Sequence, residues 1–265
     1  MSMNIKVKLG IFIMLYLLVL AVISFSWIKT IRMQSAVKPR KLQVRIFKPS
    51  SENMLIREDE IARSVKFFYK KDWHQIPLEA LQVSRLEAEL EKLHVVHHAE
   101  VYMDAVENLH VDVYQRDPLF RVMSSDGTQY YVDVEGKKIP ASENYSARVP
   151  VVTGILEGLA GNDIWGKANV NYRNAYRLIT EISKDPFTRS LIEQVDLDGG
   201  GEMTLIPKIG FEKISFGPAE ELDEKLDKLK FFYREGLRYE GWNVYKVLNL
   251  KVKDQVIGVR NTNQI

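Results

Sequence analysis

Hydrophobic and polar positions along the chain separate one long uncharged run from a series of short periodic segments. The run, residues 9–28, stands between Lys8 and Lys29 and has no counterpart further on. A helix rises 1.5 Å per residue, so about 20 residues cover a hydrocarbon layer of roughly 30 Å. One transmembrane helix is therefore predicted, with a short tail at residues 1–8 and a juxtamembrane linker at 29–41. A cleaved export signal is the rival reading, because it too opens on basic residues, and Ser24-Phe25-Ser26 resembles a small-residue cleavage site. The run exceeds the usual apolar core of a signal, and Trp27 stands where an interfacial aromatic belongs, which favours retention.

Beyond the linker, Leu42, Val44 and Ile46 alternate with Gln43, Arg45 and Phe47, the period of a half-buried strand. Two amphipathic helices follow. Ile61, Val65 and Phe68 share a face behind an acidic first turn, Glu58-Asp59-Glu60. After Ile76-Pro77, Ser84 and Glu87 form an S-x-x-E capping box ahead of the stripe Val83, Leu86, Leu90 and Leu93. Alternation returns at Val101 and Met103, and again at Leu109, Val111 and Val113. The order β-α-α-β-β over residues 42–118 is one domain.

From residue 119 to 265 the texture changes to short strands cut by turn dipeptides, Asp126-Gly127 and Glu135-Gly136, predicting a second, sheet-rich domain. A helix capped by Asn169 or Asn171 carries Ala175, Leu178, Ile179 and Ile182 until Pro186 stops it. Residues 192–197 and 202–206 read as strands joined across Asp198-Gly199-Gly200-Gly201. A helix is predicted from Pro218, at its first position, to Gly236, burying Leu222, Leu226, Leu229, Phe232 and Tyr233. Two last strands, residues 244–251 and 255–260, flank a Lys253-Asp254 turn. The fold class is α+β, with a transmembrane helix ahead of two domains.

Charge sharpens this division. Residues 1–45 hold eight Lys or Arg and no acid, leaving 29 basic against 35 acidic side chains beyond them. A body near −6 has no attractive field for phosphate backbones, so nucleic acid is not an expected partner. The basic stretch after the helix suits anionic headgroups or a solvated linker. Six cations follow the run within residues 29–45 and two precede it, which by the positive-inside rule places the large part in the cytosol. Long domains translocate largely regardless of charge, so the side stays open.

Candidate chemistry is sparse. Zero cysteines exclude disulfides, thiol nucleophiles and thiolate metal sites. His94, His97 and His98 give an H-x-x-H-H spacing, but the predicted helix ends near Leu93, so the i, i+4 geometry of a zincin is absent and no metal or cofactor is expected. Asp196 and Asp198 resemble the start of a calcium loop without its closing Glu; a hairpin turn is the simpler reading. Glu220 and Glu221 sit at the exposed start of the Pro218 helix, where they complement its dipole. No G-x-S-x-G, P-loop or G-x-G-x-x-G occurs, and no catalytic residue or small-molecule substrate is assigned. The remaining feature is Gln255-Val256-Ile257-Gly258-Val259-Arg260, apolar and free of proline, near the chain's end. As a sheet edge it would accept a strand from another protein; the alternative places it inside the sheet or behind the Pro218 helix.

Several local matches, in order, resemble the bacterial cell-division family FtsQ/DivIB: Gln115-Arg116-Asp117-Pro118 its basic-x-Pro junction, residues 131–136 its V-D-x-x-G hairpin, residues 149–154 its L-P-x-x-x-G strand, and Ile214-Ser215-Phe216-Gly217 before Lys225-Leu226-x-Lys228-Leu229 its L-G-x…K-L segment. The resemblance implies a POTRA module followed by a β-domain, both outside the cytoplasmic membrane on a single-pass, non-enzymatic division scaffold. It implies FtsB (DivIC in other lineages) and FtsL as partners, with FtsK possible as an earlier component. It places partner contacts at Val252, Gln255, Val256, Ile257, Gly258 and Val259, with Lys251 nearby, and more weakly at residues 42–47. The last hairpin departs from the family's L-R-Y-x-x-G, reading Leu250-Lys251-Val252-Lys253-Asp254-Gln255 without the aromatic. Two other classes stay open from the sequence: an envelope enzyme acting on cell-wall glycan or peptide, and a POTRA adaptor for outer-membrane barrel assembly, which the lack of a barrel and the inner-membrane anchor disfavour.

Overall fold

The computed structural model describes residues 14–27, 38–48, 54–142, 146–154, 158–210, 212–242 and 244–261. Residues 14–27 (α1) are helical and exposed. The predicted span reaches past them at both ends, outside the described residues. Among the described residues no helix is long and apolar enough to cross a membrane. The chain divides into two compact units, one of Met1–Phe47, Arg57–Leu93 and His98–Val113, the other of Lys48–Ile56, His94–His97 and Tyr114–Ile265.

In the first unit, strand β1 (Leu42–Phe47) alternates half-buried and exposed positions, as its sequence period requires. Helix α2 (Glu58–Tyr69) buries Ile61 and Val65 and ends on Lys70 in a left-handed conformation. Helix α3 (Val83–Leu90) buries Leu86 and Leu90. It begins one residue before the predicted cap. Gln82, not Ser84, is its N-cap residue, and the Glu87 carboxylate accepts from the Val101 N–H at 2.9 Å instead of closing a box. Strands β2 (Val96–Met103) and β3 (Leu109–Gln115) complete a three-stranded sheet in the order β1-β3-β2. Across it Arg45 grips the buried Asp112 with two hydrogen bonds, Nε to Oδ1 at 2.8 Å and Nη2 to Oδ2 at 2.5 Å.

The second unit is a nine-stranded mixed sheet. Strands β4 (Pro118–Met123), β5 (Gln129–Asp133) and β6 (Lys138–Pro140) form an antiparallel meander whose turns place Gly127 and Gly136 at φ 82 and 80°, matching the two turn dipeptides. Strand β7 (Val151–Gly154) pairs parallel to β4 and to β8 (Ile192–Leu197). Gly154, at φ 107°, lies so close to the Leu197 carbonyl that a Cβ has no room. Strands β8 and β9 (Met203–Pro207) form the hairpin read from Asp198 and its glycines, and the Asp198 carboxylate accepts from the N–H groups of Gly200 and Glu202. Strand β10 (Lys213–Gly217) follows, antiparallel to β9.

One sheet face is covered by helices α4 (Val170–Lys184), α5 (Pro186–Leu191) and α6 (Leu222–Phe231). Leu178, Ile179, Ile182, Leu226 and Leu229 meet Val152, Val195, Leu205, Ile214 and Phe216 in one core. Full burial of each such side chain contributes about 1.5–3 kcal/mol, which is why the helix stripes and the strand alternation agree on this face. Pro186 stops α4 as expected but also starts α5, where the Asp185 carboxylate caps Phe187 and Thr188.

The Pro218 helix is a correction at both ends. Gly217, at φ 82°, turns the chain, Pro218–Glu221 form that turn, and α6 starts only at Leu222. Glu220 and Glu221 therefore precede the helix. At the far end Gly236 keeps helical angles: a π turn (Phe232–Gly236) leads into helix α7 (Leu237–Glu240), which Gly241 ends at φ 96°. The missing side chain at Gly236 is what admits the Phe232 ring, since a Cβ there would sit 3.1 Å from it.

A candidate partner-binding edge of the second unit

The crossover through α6, the π turn and α7 returns the chain parallel to β10 as strand β11 (Tyr245–Asn249), and a turn then brings back strand β12 (Ile257–Arg260), antiparallel to β11. Both strands are shorter than the sequence alternation predicts, because residues 251–256 leave the ladder, after the Leu250 N–H has made a last bond to the Ser215 carbonyl of β10 at 3.0 Å. The Lys228 ammonium, 14 % exposed, donates to the carbonyls of Leu250 at 3.3 Å and Val252 at 2.8 Å, and the Asn249 side chain accepts from the Lys251 N–H. These ties replace ladder hydrogen bonds.

Strand β12 is the outermost strand, and among the described residues β11 is its one ladder neighbour. The Asn261 N–H donates to the Val244 carbonyl at 2.8 Å. Antiparallel ladders alternate, so Ile257 and Val259 also turn their backbone groups inward, and those of Gly258 and Arg260 point away from the sheet. Side chains alternate too. Ile257 and Val259, 45 and 53 % exposed, stand on the open face opposite Asn249 and Val247. Gly258 faces the helix side, where the Tyr245 ring lies over it and a Cβ would run into that ring.

The seven residues expected at this edge thus separate by environment. Ile257, Val259 and Val252 are exposed apolar groups, and Gln255 is exposed. Val256 packs against the core, and Gly258 offers backbone only. Lys251 is half-exposed and bonded to Glu202 at 2.8 Å. Several neighbours were missed by sequence reasoning. Phe231, Tyr239 and Trp242 are exposed at 69, 82 and 50 % on the elements that flank the edge. Phe231 and Phe232 join Asp227, Lys228, Gln255 and Val256 around a cleft of about 460 Å³. Arg260 is tied to Glu240 at 2.7 Å and stacks near the Tyr245 ring, which in turn meets Phe232 edge-on. The available signal was an aromatic off the buried stripe, at Phe231 and Tyr239.

Beside β10 lie two buried ionisable groups. Lys225, 5 % exposed, donates to the Pro218 carbonyl at 3.1 Å and lies over the Phe216 ring, and burial lowers its pKa. The Tyr233 hydroxyl donates to the Glu212 carboxylate; burial, then that hydrogen bond, push the phenol far above its usual range. Both groups hold structure in place.

The histidines are scattered in their contacts. His97 lies 3.5 Å from Glu135, and His98 bonds Glu91 at 2.6 Å. Among the described residues no cluster of three or more His, Cys, Asp or Glu could hold a metal ion. The weaker candidate, β1, is an outer strand of its own three-stranded sheet. No curated protein matches the chain. A family sequence model described as FtsQ/DivIB, C-terminal related, matches residues 117–259.

Proposed function

The chain belongs to the FtsQ/DivIB C-terminal related family, whose match covers more than half of its length and carries a role in cell division, and on that premise we propose that it is a non-enzymatic, single-pass scaffold of the division septum. Residues 9–28 form its membrane span, the first unit is its POTRA module, and both units stand outside the cytoplasmic membrane. The uncharged run and the helical residues 14–27 support the span. The order β1-α2-α3-β2-β3 supports the module. Its partners are division proteins of the FtsB or DivIC and FtsL type, with FtsK as an earlier component, and together they coordinate septal wall synthesis.

The mechanism is strand addition at β12, and the observation that carries it is that β12 ends the sheet with β11 as its one ladder neighbour among the described residues; ladder alternation then turns the backbone groups of Gly258 and Arg260 outward. A partner strand gains backbone hydrogen bonds there, and Ile257, Val259 and Val252 supply apolar contacts. Gln255 and the turn residues up to Lys251 border the same edge, and Lys251 can exchange its exposed pair with Glu202 for an acidic side chain of the partner. The test is in-cell photocrosslinking from positions 257 and 259, combined with Arg260→Pro. Proline is tolerated where its missing N–H faced solvent, so this variant folds but loses an outward donor. A crosslink to an FtsB- or FtsL-type protein, weakened by Arg260→Pro, is the expected result. Unchanged capture in the proline variant refutes strand addition, and no capture of a division protein at either position refutes the edge as the partner site.

A further inference from the structure

The first unit carries an apolar feature that the edge does not use. Between α2 and α3 runs a cleft of about 600 Å³ floored by Ser64, Phe68, Leu86, Leu90 and Leu93, with Phe67 as its outer wall. Phe67 is 86 % exposed, on a helix whose apolar stripe is otherwise turned inward. Cations rim the opening. Arg63, Lys70 and Lys92 line it with one acid, Glu89, and Lys71 follows Lys70 at the helix end. Arg63 and Lys92 meet Asp59 and Glu89 only in exposed same-helix or near-neighbour pairs, which contribute little and leave the cations able to turn to another anion.

An exposed aromatic beside an apolar cleft, ringed by Lys and Arg, is the pattern of a surface that seats itself at a lipid interface. Chain length supplies the second argument. Residues 29–41 separate the uncharged run from β1, and 13 residues reach at most about 45 Å. A unit of this size is itself on the order of 30 Å across. The face is therefore held at high effective concentration over the bilayer.

We propose that the α2–α3 face of the first unit is a lipid-docking surface, with Phe67 and the cleft taking the glycerol and upper acyl region and Arg63, Lys70, Lys71 and Lys92 taking anionic headgroups. It rests on the reading of residues 9–28 as the anchor.

The chain has no cysteine, so Ser64→Cys introduces a unique thiol in the cleft. The full chain labelled there with an environment-sensitive fluorophore is reconstituted into vesicles of phosphatidylcholine, alone or mixed with phosphatidylglycerol. The expected result is blue-shifted emission and shielding from acrylamide in the mixed vesicles, reversed by salt. Lys70→Glu and Lys71→Glu each weaken docking at least about fivefold, the step for one cation at an anionic surface. Phe67→Ser weakens it as well, and circular dichroism verifies that each variant is folded. A label that stays water-exposed in both vesicles, equal shielding without phosphatidylglycerol, or indifference to all three substitutions overturns the proposal. Carbonate extraction separates the two readings: a chain that washes off the vesicles refutes the anchor and the docking with it, whereas an extraction-resistant chain with an exposed label refutes docking alone.

Discussion

Replacing Tyr233 by Phe tests the energetics of the buried Tyr233–Glu212 pair. Tyr233 is 4 % exposed and its hydroxyl donates to Glu212, itself 2 % exposed; the second Glu212 oxygen has no hydrogen-bond partner. Removing the hydroxyl leaves a buried carboxyl group with neither oxygen satisfied. A hydrogen bond to a charged group contributes about 1.5–3 kcal/mol, and a stranded buried acceptor costs at least as much, so Tyr233→Phe is expected to destabilise the second unit by about 2–3 kcal/mol. Glu212→Met in the same chain removes the stranded carboxylate while keeping its volume. The double variant should recover at least half of the loss, a coupling expected only of groups that share one interaction. Urea unfolding followed by tryptophan fluorescence is the assay, because the Trp242 ring lies 6.1 Å from Tyr233 and reports the transition of this region. A cost below about 0.5 kcal/mol, or strictly additive single and double variants, would refute the reasoning.

Asp117 offers a pH test. Burial, and then the charge of Asp133, raise its pKa above the usual carboxylate value. Its ionisation therefore disfavours the folded state, and the penalty grows as pH rises from about 3.9 through the folded value. Asp117→Asn should raise the melting temperature at pH 7 by on the order of 2 °C, with the gain disappearing as pH falls through the carboxylate range; a gain that persists in acid contradicts the assignment. Lys228→Met removes the donor that holds the carbonyls of Leu250 and Val252. It should cost about 1 kcal/mol and speed amide exchange in residues 250–260, and exchange rates there that match the wild type count against the tie.

Much of this fold was written in local periodicity. The alternation of β1, the stripes of α2 and α4 and the glycine turns after Asp126 and Asp198 all report a burial face or a positive φ that the residue type itself demands. The misread boundaries share a different cause. Pro218 suits a first helical position, but Gly217 had already committed the chain to a turn, and Gly236 looked like a stop although its lack of a side chain serves the Phe232 ring. Ser84 read as a cap because its partner Glu87 was in register; that carboxylate bonds to β2 instead. At the edge, the strand itself was legible, but its length and its exposed neighbours depend on Lys228, Tyr245 and α7 reaching across from distant positions. Such ties leave no periodic mark.

The parallel pairing of β10 with β11 has a consequence for truncated chains. A product ending near Glu240 would lack the terminal hairpin and leave β10 as the boundary of the sheet, where Ile214 and Phe216 were 0 % exposed. The sheet instead closes with β12, four residues that include a glycine and an arginine, a short and poorly sticky template for its own copies. Loss of residues 241–265 should therefore show first as insolubility, before any defect in cell division can be scored.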